Sequence, residues 1–361
     1  MSTLKLTAAS GGGTVALKGP ATTTGNAALE LTVPGAESGE LVTKDSDDSL
    51  VNVQGINGGQ ISHRNLFQNG DMSCWQRGTS GTTSGTYVAD RWWFANATSS
   101  ARDTSAPDGF VYSNKLTYNS SDMSIGQPIE LPATGKSGRM ISGEKLTISF
   151  YAKVSATTEA CSCQVKFRDS KFSSSNEVSF TISDANLTLT TSWQRFTKTF
   201  TIPTVAGTNT IAAFEVSGIS KDAFFTGFQA EIGDYATSYE FKTYQQELAA
   251  CMRYYETHNH LTTAKTTDGS VTSQWSTITS NDSNTLVVST GIVYKVPKRA
   301  WPTITLYNPG DTSTAARVNA QGTERTVTAS YGGANALTRI YVSGASSGNY
   351  VTYNWEADAE L

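Results

Sequence analysis

Aromatic side chains offer the most direct route to chemistry in this chain of 361 residues. A sugar ring presents apolar C–H faces that stack on an aromatic ring, while polar neighbours hydrogen-bond its hydroxyl groups. One aromatic group lies between positions 75 and 112 and another in the last hundred residues; an ordinary place in a sheet is the alternative for each member. We predict carbohydrate contacts from Trp75, Tyr87, Trp93, Tyr112 and Trp275, and Tyr307, Tyr331 and Tyr350 extend the set toward a distal tip.

The tryptophans of "ADRWW" and "SWQRF" also fit a second role, since such bulky residues anchor cores. We predict that Trp92 and Trp193 are core residues. Neighbouring side chains on a strand point to opposite faces. Trp93 is therefore expected to face outward and to be the better ligand candidate of the pair.

Histidine is a candidate metal ligand at "HNH", where His258 and His260 are two of only three histidines in the chain. In a trimer, this motif on the axis would present six imidazoles, which suits an octahedral transition metal. The alternative is a solvated pair at a helix end, where a positive charge favours the helix dipole. We prefer that alternative and expect no bound cofactor.

Nucleophilic catalysis is suggested only formally, by "GASSG" at 344–348, which matches G-x-S-x-G. A nucleophile elbow needs a strand before it and a helix after it, whereas strand-like residues flank this motif on both sides. We predict a hairpin turn there and no enzyme activity. A pair of carboxylates that meet in space stays open as the alternative, because the chain has 31 acidic residues.

Composition excludes several partners. Charged residues make up 16% of the chain and the net charge is −4, so no basic field exists to attract nucleic acid or anionic lipid. No apolar run approaches the roughly 18 residues that cross a bilayer, and the first residues lack the apolar centre of a signal peptide. We expect synthesis in a cytoplasm, no membrane insertion, and four free thiols that are buried or idle: Cys74, Cys161, Cys163 and Cys251.

The elements that must position these residues fall into four parts. Residues 1–62 contain none of the 36 aromatic residues and only short β-like pieces, "TLKL", "TVAL", "LELTV" and "GELVT". So little apolar surface cannot offset the entropy of ordering a monomer. This segment is either disordered or folds around copies of itself or around a partner.

Residues 63–243 read as an antiparallel sandwich or jelly roll, because many short alternating strands follow one another without helices. In "KLTISFYAKV", Leu146, Phe150 and their even-numbered neighbours predict one buried and one wet face. In "FFTGFQAEIG", even spacing predicts that Phe224 and Phe228 share the buried face.

A lone helix is predicted at 244–260 and a small β-domain at 261–361, with its closing strand docked. The helix carries an apolar stripe at i, i+3, i+4 and i+7, formed by Leu248, Cys251, Met252 and Tyr255. Intrachain packing at a sandwich edge is one use for this stripe. Contact between three chains on an axis, through Leu248, Met252 and Tyr255, is the other.

Several stretches resemble the carbohydrate-binding-like jelly rolls of bacteriophage tail fibre proteins. They are "NLFQNGDMSCWQRGTSGTTSGTYVADRWWF", "LTISFYAK", "SWQRFTKTFTIP", "FQAEIGDYATSYEFKTYQQELAACMRYYE" and the ending "YNWEADAEL". The first segment is similar to attachment segments of marine phage fibres. The resemblance implies an all-β homotrimeric fibre of the virion, with an extended, intertwined attachment segment and two β-domains. By analogy of fold it also implies that Glu130, Glu231 or Asp234 holds a structural Ca²⁺.

We therefore expect a virion tail fibre that docks on the phage tail, its nozzle or an adaptor through residues 1–62. Its β-domains would recognise a host cell-surface polysaccharide, and the scarcity of charge favours a neutral one. A polysaccharide depolymerase or deacylase is one alternative. A purely structural collar or capsid fibre is the other.

Overall fold

The computed structural model describes residues 3–7, 14–18, 43–44, 50–51, 63–131, 141–168, 178–181, 187–204, 210–258, 274–282, 285–307, 316–318, 323–325, 327–343 and 350–361. The chain forms two compact units, Met1–Val53 and Gln54–Leu361. The predicted four-part division stays a prediction. Within the described part of the chain, no helix has both the length and the apolarity needed to cross a membrane.

The first unit contains two short antiparallel pairs. Strands β1 (Thr3–Thr7) and β2 (Thr14–Lys18) form one pair, and β3 (Thr43–Lys44) and β4 (Leu50–Val51) form the other. The predicted pieces "TLKL" and "TVAL" are therefore strands. The piece "LELTV" and all but the last residue of "GELVT" lie outside the described residues.

The second unit begins with a two-sheet antiparallel sandwich. Its strands are β5 (Ser80–Gly81), β6 (Trp93–Ala95), β7 (Ser99–Asp103), β8 (Ser113–Thr117), β9 (Met123–Glu130), β10 (Lys145–Val154), β11 (Glu159–Arg168), β12 (Val178–Thr181), β13 (Leu187–Leu189), β14 (Gln194–Thr201), β15 (Ile211–Ile219) and β16 (Ala223–Ile232). One sheet has the order β14-β10-β16-β8-β7-β5, and the other has the order β12-β11-β15-β9-β6, with β13 paired to β11. Because the chain passes repeatedly from one sheet to the other, this is a jelly roll, and the predicted all-β class is confirmed.

The core lies between the two sheets and is centred on aromatic rings. Trp92 is fully buried, as predicted, and stacks on Phe228 with the ring centroids 4.1 Å apart. Phe150 also stacks on Phe228, at 5.2 Å. Removing such a ring costs about 3 to 5 kcal/mol, so this stack fixes how the sheets face each other.

The outer face of β10 is not wholly wet, contrary to the prediction from its alternation. Thr147 and Ser149 point away from the core and are nevertheless buried. The segment after β16 covers them, and the Thr147 hydroxyl donates a hydrogen bond of 2.7 Å to the carbonyl of Gly233. Lys145 at the start of the strand is exposed, and Tyr151 and Lys153 near its end stay partly exposed.

Helix α1 spans Tyr244–Met252, so the predicted helix at 244–260 is too long. It begins with a capping box, in which Thr243 and Gln246 each accept a hydrogen bond from the other's backbone N–H. The apolar stripe includes Tyr255, which lies beyond the end of the helix. This residue begins a strand whose backbone pairs with another strand, so its helical spacing is a coincidence. Sheet pairing outcompetes further helical bonds there.

Nine strands form the antiparallel sheet of the remaining chain: β17 (Tyr255–Thr257), β18 (Gln274–Asp282), β19 (Thr285–Val293), β20 (Thr303–Tyr307), β21 (Ala316–Val318), β22 (Thr323–Arg325), β23 (Val327–Gly332), β24 (Ala336–Ser343) and β25 (Tyr350–Asp358). Strand β25 pairs with β17, β18, β20 and β21, which confirms that the closing strand is docked. Its own core contains Leu337, Ile340 and Tyr353.

Buried ion pairs connect the jelly roll to this sheet. The Arg91 guanidinium lies 3.5 Å from the ring centroid of Tyr254, and that of Arg77 lies 3.6 Å from the ring centroid of Tyr255. Glu360 is ion-paired with both arginines. Buried guanidiniums are costly when unpaired, so these residues, the junction cluster, hold the two parts in one arrangement.

Candidate functional site

A group of partly exposed aromatic and cationic side chains lies on the outer face of the sheet that contains β10 and β16. We call it the sheet-face platform, and it consists of Lys115, Tyr151, Lys153, Trp193 and Phe224. The rings of Trp193 and Phe224 meet edge to face, with centroids 6.5 Å apart. The ammonium of Lys153 lies 5.2 Å from the first centroid and 4.9 Å from the second, within the range of cation–π contact.

A β-bulge places Phe224 on this face. Tyr151 lies opposite Thr226 and Ser149 lies opposite Gln229, so β16 contains one residue more than β10 over the same stretch. Phe225 and Phe228 both enter the core, and Phe224 turns outward. The even spacing that predicted Phe224 in the core is therefore wrong, because a bulge re-aims the side chains on one side of it.

Gly227 at the bulge supports the rings above it. Its φ is +64°, and a Cβ at this position would lie 2.8 Å from both the Phe110 Cζ and the Tyr151 Cδ2 atoms. These two rings pack with centroids 5.4 Å apart, and Phe110 also contacts the exposed Phe241 at 5.1 Å. Glycine is thus required both for the backbone conformation and for the close approach of the rings.

Hydrogen-bond donors surround the rings. The Lys153 ammonium donates to the Ser105 hydroxyl at 2.7 Å, and the Lys115 ammonium lies 3.6 Å from the Asp222 carboxylate. Arg195 lies 6.0 Å from the ring centroid of Tyr151. The platform and its neighbour Arg195 therefore combine a partly exposed indole with more positive than negative groups, although the chain as a whole is acidic.

Tyr87, a ligand residue predicted from the sequence, lines a cavity. This junction pocket has a volume of about 480 Å³ and lies between the loop at 80–88 and the end of β25. Arg77, Tyr87 and Asp358 form its walls together with threonine and serine side chains. The Tyr87 hydroxyl donates to the Leu361 carbonyl at 3.1 Å, and burial raises the pKa of this phenol far above its usual range.

Trp75 and Trp93 are not ligand contacts in this structure, which corrects two predictions. Trp75 is fully buried, and its indole N–H donates to the Met72 carbonyl at 2.6 Å. Trp93 is also buried, because Gly126 on the neighbouring strand leaves room for the indole and Tyr87 bridges to Trp93 through the backbone. Alternation gives the direction of this side chain but does not register that its indole packs over Gly126.

Trp193 is the platform residue that sequence reasoning assigned to the core. It lies just before β14 and is only partly buried, so that prediction is wrong. The sequence pattern around Trp193 gave little information about its direction, because the residue lies in a turn, where strand alternation does not apply. The clue was its position beside "QRF", the start of a strand whose partner residues Tyr151 and Lys153 face outward.

The remaining aromatic candidates are dispersed. Tyr112 packs at the edge of the core, with the Arg102 guanidinium 4.6 Å from its ring centroid. Tyr307 is buried and donates to Glu356 at 2.6 Å. The backbone of Trp275 lies on β18, but its side chain is outside the described residues, as are those of Tyr331 and Tyr350.

The helix stripe packs inside its own chain. Met252 and Tyr255 are buried, and the Tyr255 hydroxyl donates to Glu356 at 2.5 Å. Leu248 is half-buried. The first two side chains have no surface to offer a second copy, so the predicted axial contact is wrong for them and the intrachain alternative holds.

Three of the five candidate metal ligands, His258, Glu130 and Glu231, contact other protein groups. The His258 ring lies 3.3 Å from the Asn354 side-chain oxygen, and His260 is outside the described residues. Glu130 accepts two-pronged hydrogen bonds from Arg253, and Glu231 accepts from Thr237. Asp234 is exposed. Over the described part of the chain, no three metal-ligating side chains come together.

The candidates for nucleophilic chemistry are the four thiols and the serine motif. All four cysteines are free and buried, which is the first of the two predicted alternatives, and burial raises the pKa of Cys161 to about 12. The "GASSG" motif lies outside the described residues. Asp358 is the one carboxylate that lines the junction pocket, while the neighbouring Asp90 is buried. The described lining of this pocket thus holds no carboxylate pair.

Comparison with known proteins yields only distant likenesses of fold. No protein-family model and no curated protein matches the chain. The CBM22-1 xylan-binding domain of Xyn10C from Paenibacillus barcinonensis is 12% identical over 50% of this chain and 100% of its own, with a TM-score of 0.33. TmCBM61, solved with β-1,4-galactotriose, is 14% identical over 47% of this chain and 99% of its own, with a TM-score of 0.27. The enzymatically active domain of tailspike protein 4 from bacteriophage CBA120 is 14% identical over 46% of this chain and 21% of its own, with a TM-score of 0.28.

Proposed function

We propose that this protein recognises a glycan through the sheet-face platform and does so as a non-enzymatic tail fibre of a bacteriophage virion. The observation on which the proposal depends is the partly exposed Trp193, set against Phe224 and beside the Lys153 ammonium. An aromatic face with donors at its rim binds a sugar by stacking on C–H groups and hydrogen-bonding its hydroxyls.

The charges of the platform favour a glycan with acidic units, which differs from the neutral partner expected from composition. Lys153 and Arg195 have no carboxylate partner among the described contacts, whereas Lys115 is paired with Asp222. Partly exposed cations attract uronate or phosphate groups, and salt screens such attraction. Binding to an acidic polysaccharide should therefore weaken as ionic strength rises.

The fibre part of the proposal is supported by the sequence resemblance and by the composition of residues 1–62. A homotrimer would repeat the platform three times. A contact of order millimolar then becomes firm attachment through effective concentration, which rises with each linked site. The mass of the native oligomer tests this part, and a monomer would refute it.

The binding experiment uses the full chain on an array of bacterial capsular polysaccharides and lipopolysaccharide O-chains. Trp193→Ala should weaken binding about tenfold, a loss of about 1.4 kcal/mol. Trp301→Ala is the matched control, because Trp301 is 81% exposed and lies outside the platform. Equal affinities for all three proteins would refute the platform as the site.

The depolymerase alternative makes a separate prediction. A hydrolase would shorten the polysaccharide that it binds, whereas a recognition protein leaves its length unchanged. Size-exclusion chromatography of a bound polysaccharide after prolonged incubation distinguishes them, and we expect no shift in elution.

A further inference from the structure

We infer that the junction pocket is a second carbohydrate site, which takes one neutral sugar unit and holds two adjacent hydroxyl groups on the Asp358 carboxylate. The inference rests on the proposed function in one respect, namely that carbohydrate is the ligand class. It concerns a different surface from the sheet-face platform and a different charge of sugar.

The size and lining of the pocket suit a single sugar ring. Its volume of about 480 Å³ falls within the usual range of about 300 to 1,000 Å³ for small-molecule sites. The lining is rich in short hydroxyl side chains, and the Thr86 hydroxyl is oriented by a hydrogen bond of 2.6 Å to the Thr83 carbonyl. Tyr87 supplies an aromatic wall of the kind that packs against sugar C–H groups.

Asp358 is held in place and still reachable. One of its oxygens accepts the Glu360 backbone N–H at 2.9 Å, and the other lies 3.4 Å from the Arg77 guanidinium. Its side chain is 42% exposed. A carboxylate has about four lone-pair positions, so acceptor capacity is left for two hydroxyl donors on one sugar.

The charge around the pocket discriminates against acidic sugars. Arg77 faces three carboxylates, those of Asp90 at 3.5 Å, Asp358 at 3.4 Å and Glu360 at 3.2 Å. Glu360 is shared with Arg91, so the arginines are fully compensated. An added uronate would meet the exposed Asp358 carboxylate without a spare cation, whereas a neutral sugar meets an oriented acceptor.

Both β-parts are needed to form the pocket. Asp358 belongs to β25, while Tyr87 and the hydroxyl groups belong to β5 and the loop that follows it. The junction cluster fixes their separation, so the acceptor and the aromatic wall are positioned before a ligand arrives. Such preorganisation lowers the entropy cost of binding.

The experiment is saturation-transfer NMR on the full chain with galactose, mannose, glucose and glucuronate as probes. We expect signals from at least one neutral sugar and none from glucuronate. Asp358→Asn should lower the affinity for the neutral sugar at least tenfold. Thr82→Tyr, a change on the exposed pocket rim, should block binding of the neutral sugar. Asp234→Asn is the matched control, since this exposed carboxylate lies outside the pocket.

The outcomes separate this inference from the proposed function. A neutral-sugar signal that survives Trp193→Ala but is lost in both pocket variants supports the pocket. A signal lost in Trp193→Ala alone would place the sugar on the platform and overturn the pocket, leaving the proposed function intact. Failure of the wild type to bind any of the neutral sugars, a stronger signal from glucuronate, or unchanged binding in both pocket variants would also overturn it.

Discussion

Replacing Gly227 by alanine is the sharpest test of how the bulge positions the platform. The residue has φ +64°, so an alanine there costs about 1 to 2 kcal/mol in backbone conformation. Its Cβ would also lie 2.8 Å from the rings of Phe110 and Tyr151. Forcing packed rings apart typically costs a further 1 to 3 kcal/mol. We therefore expect Gly227→Ala to lower the free energy of unfolding by about 2 to 5 kcal/mol.

Gly218 provides a matched control for this variant. Its φ is +78°, but a Cβ there meets no atom within 4 Å, so Gly218→Ala should show the conformational cost alone. Urea unfolding followed by tryptophan fluorescence measures both values. If Gly227→Ala is no more destabilising than Gly218→Ala, the rings do not rest on the glycine and the account of the bulge is wrong. Polysaccharide binding should fall in the first variant and persist in the second.

Two further predictions concern buried charges. Burial raises the pKa of Asp90 from the ordinary 3.8 to about 6. Between these pH values the folded protein holds a proton that the unfolded chain has released. The free energy of unfolding therefore falls as pH rises. At about 1.36 kcal/mol per pKa unit, this contribution is about 3 kcal/mol, and Asp90→Asn should remove it from melting curves recorded between pH 4 and 6.5; parallel curves for both proteins would contradict the assignment. The buried Lys298 donates to the Met252 carbonyl at 2.6 Å and to Glu256 at 2.6 Å, so Lys298→Met alone should cost about 3 to 5 kcal/mol in urea unfolding because Glu256 is left unpaired. Adding Glu256→Gln should recover most of that loss, and a double variant as unstable as the single one would show that the carboxylate is not the cause.

The sequence predicted the layers of the fold better than the position of the site. The alternation of "KLTISFYAKV" identified the core face of β10, since one face of a sandwich strand must be apolar. The same reasoning failed at Phe224, because a bulge inserts one residue and a period of two cannot register it. Trp93 was wrongly assigned as a ligand contact for another reason: alternation gives the face of a side chain, but it does not show whether neighbouring residues bury that side chain.

Helix length and the location of the candidate site show the same limit. The stripe through Tyr255 was periodic, but backbone pairing of this residue with β25 ended the helix at Met252. The junction pocket was only half visible, since Tyr87 was singled out and Asp358 was not. Residues so far apart in sequence meet only through tertiary packing, which a single sequence does not reveal.

The order in which the ribosome delivers the junction cluster has a consequence for biosynthesis. Arg91 is separated from Glu360 by 269 residues. At about 5 to 20 residues per second, the jelly roll waits roughly 15 to 50 s for the carboxylate that neutralises its arginines. During that interval the nascent chain presents a cationic face that the mature molecule conceals. This is therefore the stage of synthesis at which chaperones, or neighbouring nascent copies on the same mRNA, are most able to bind the chain.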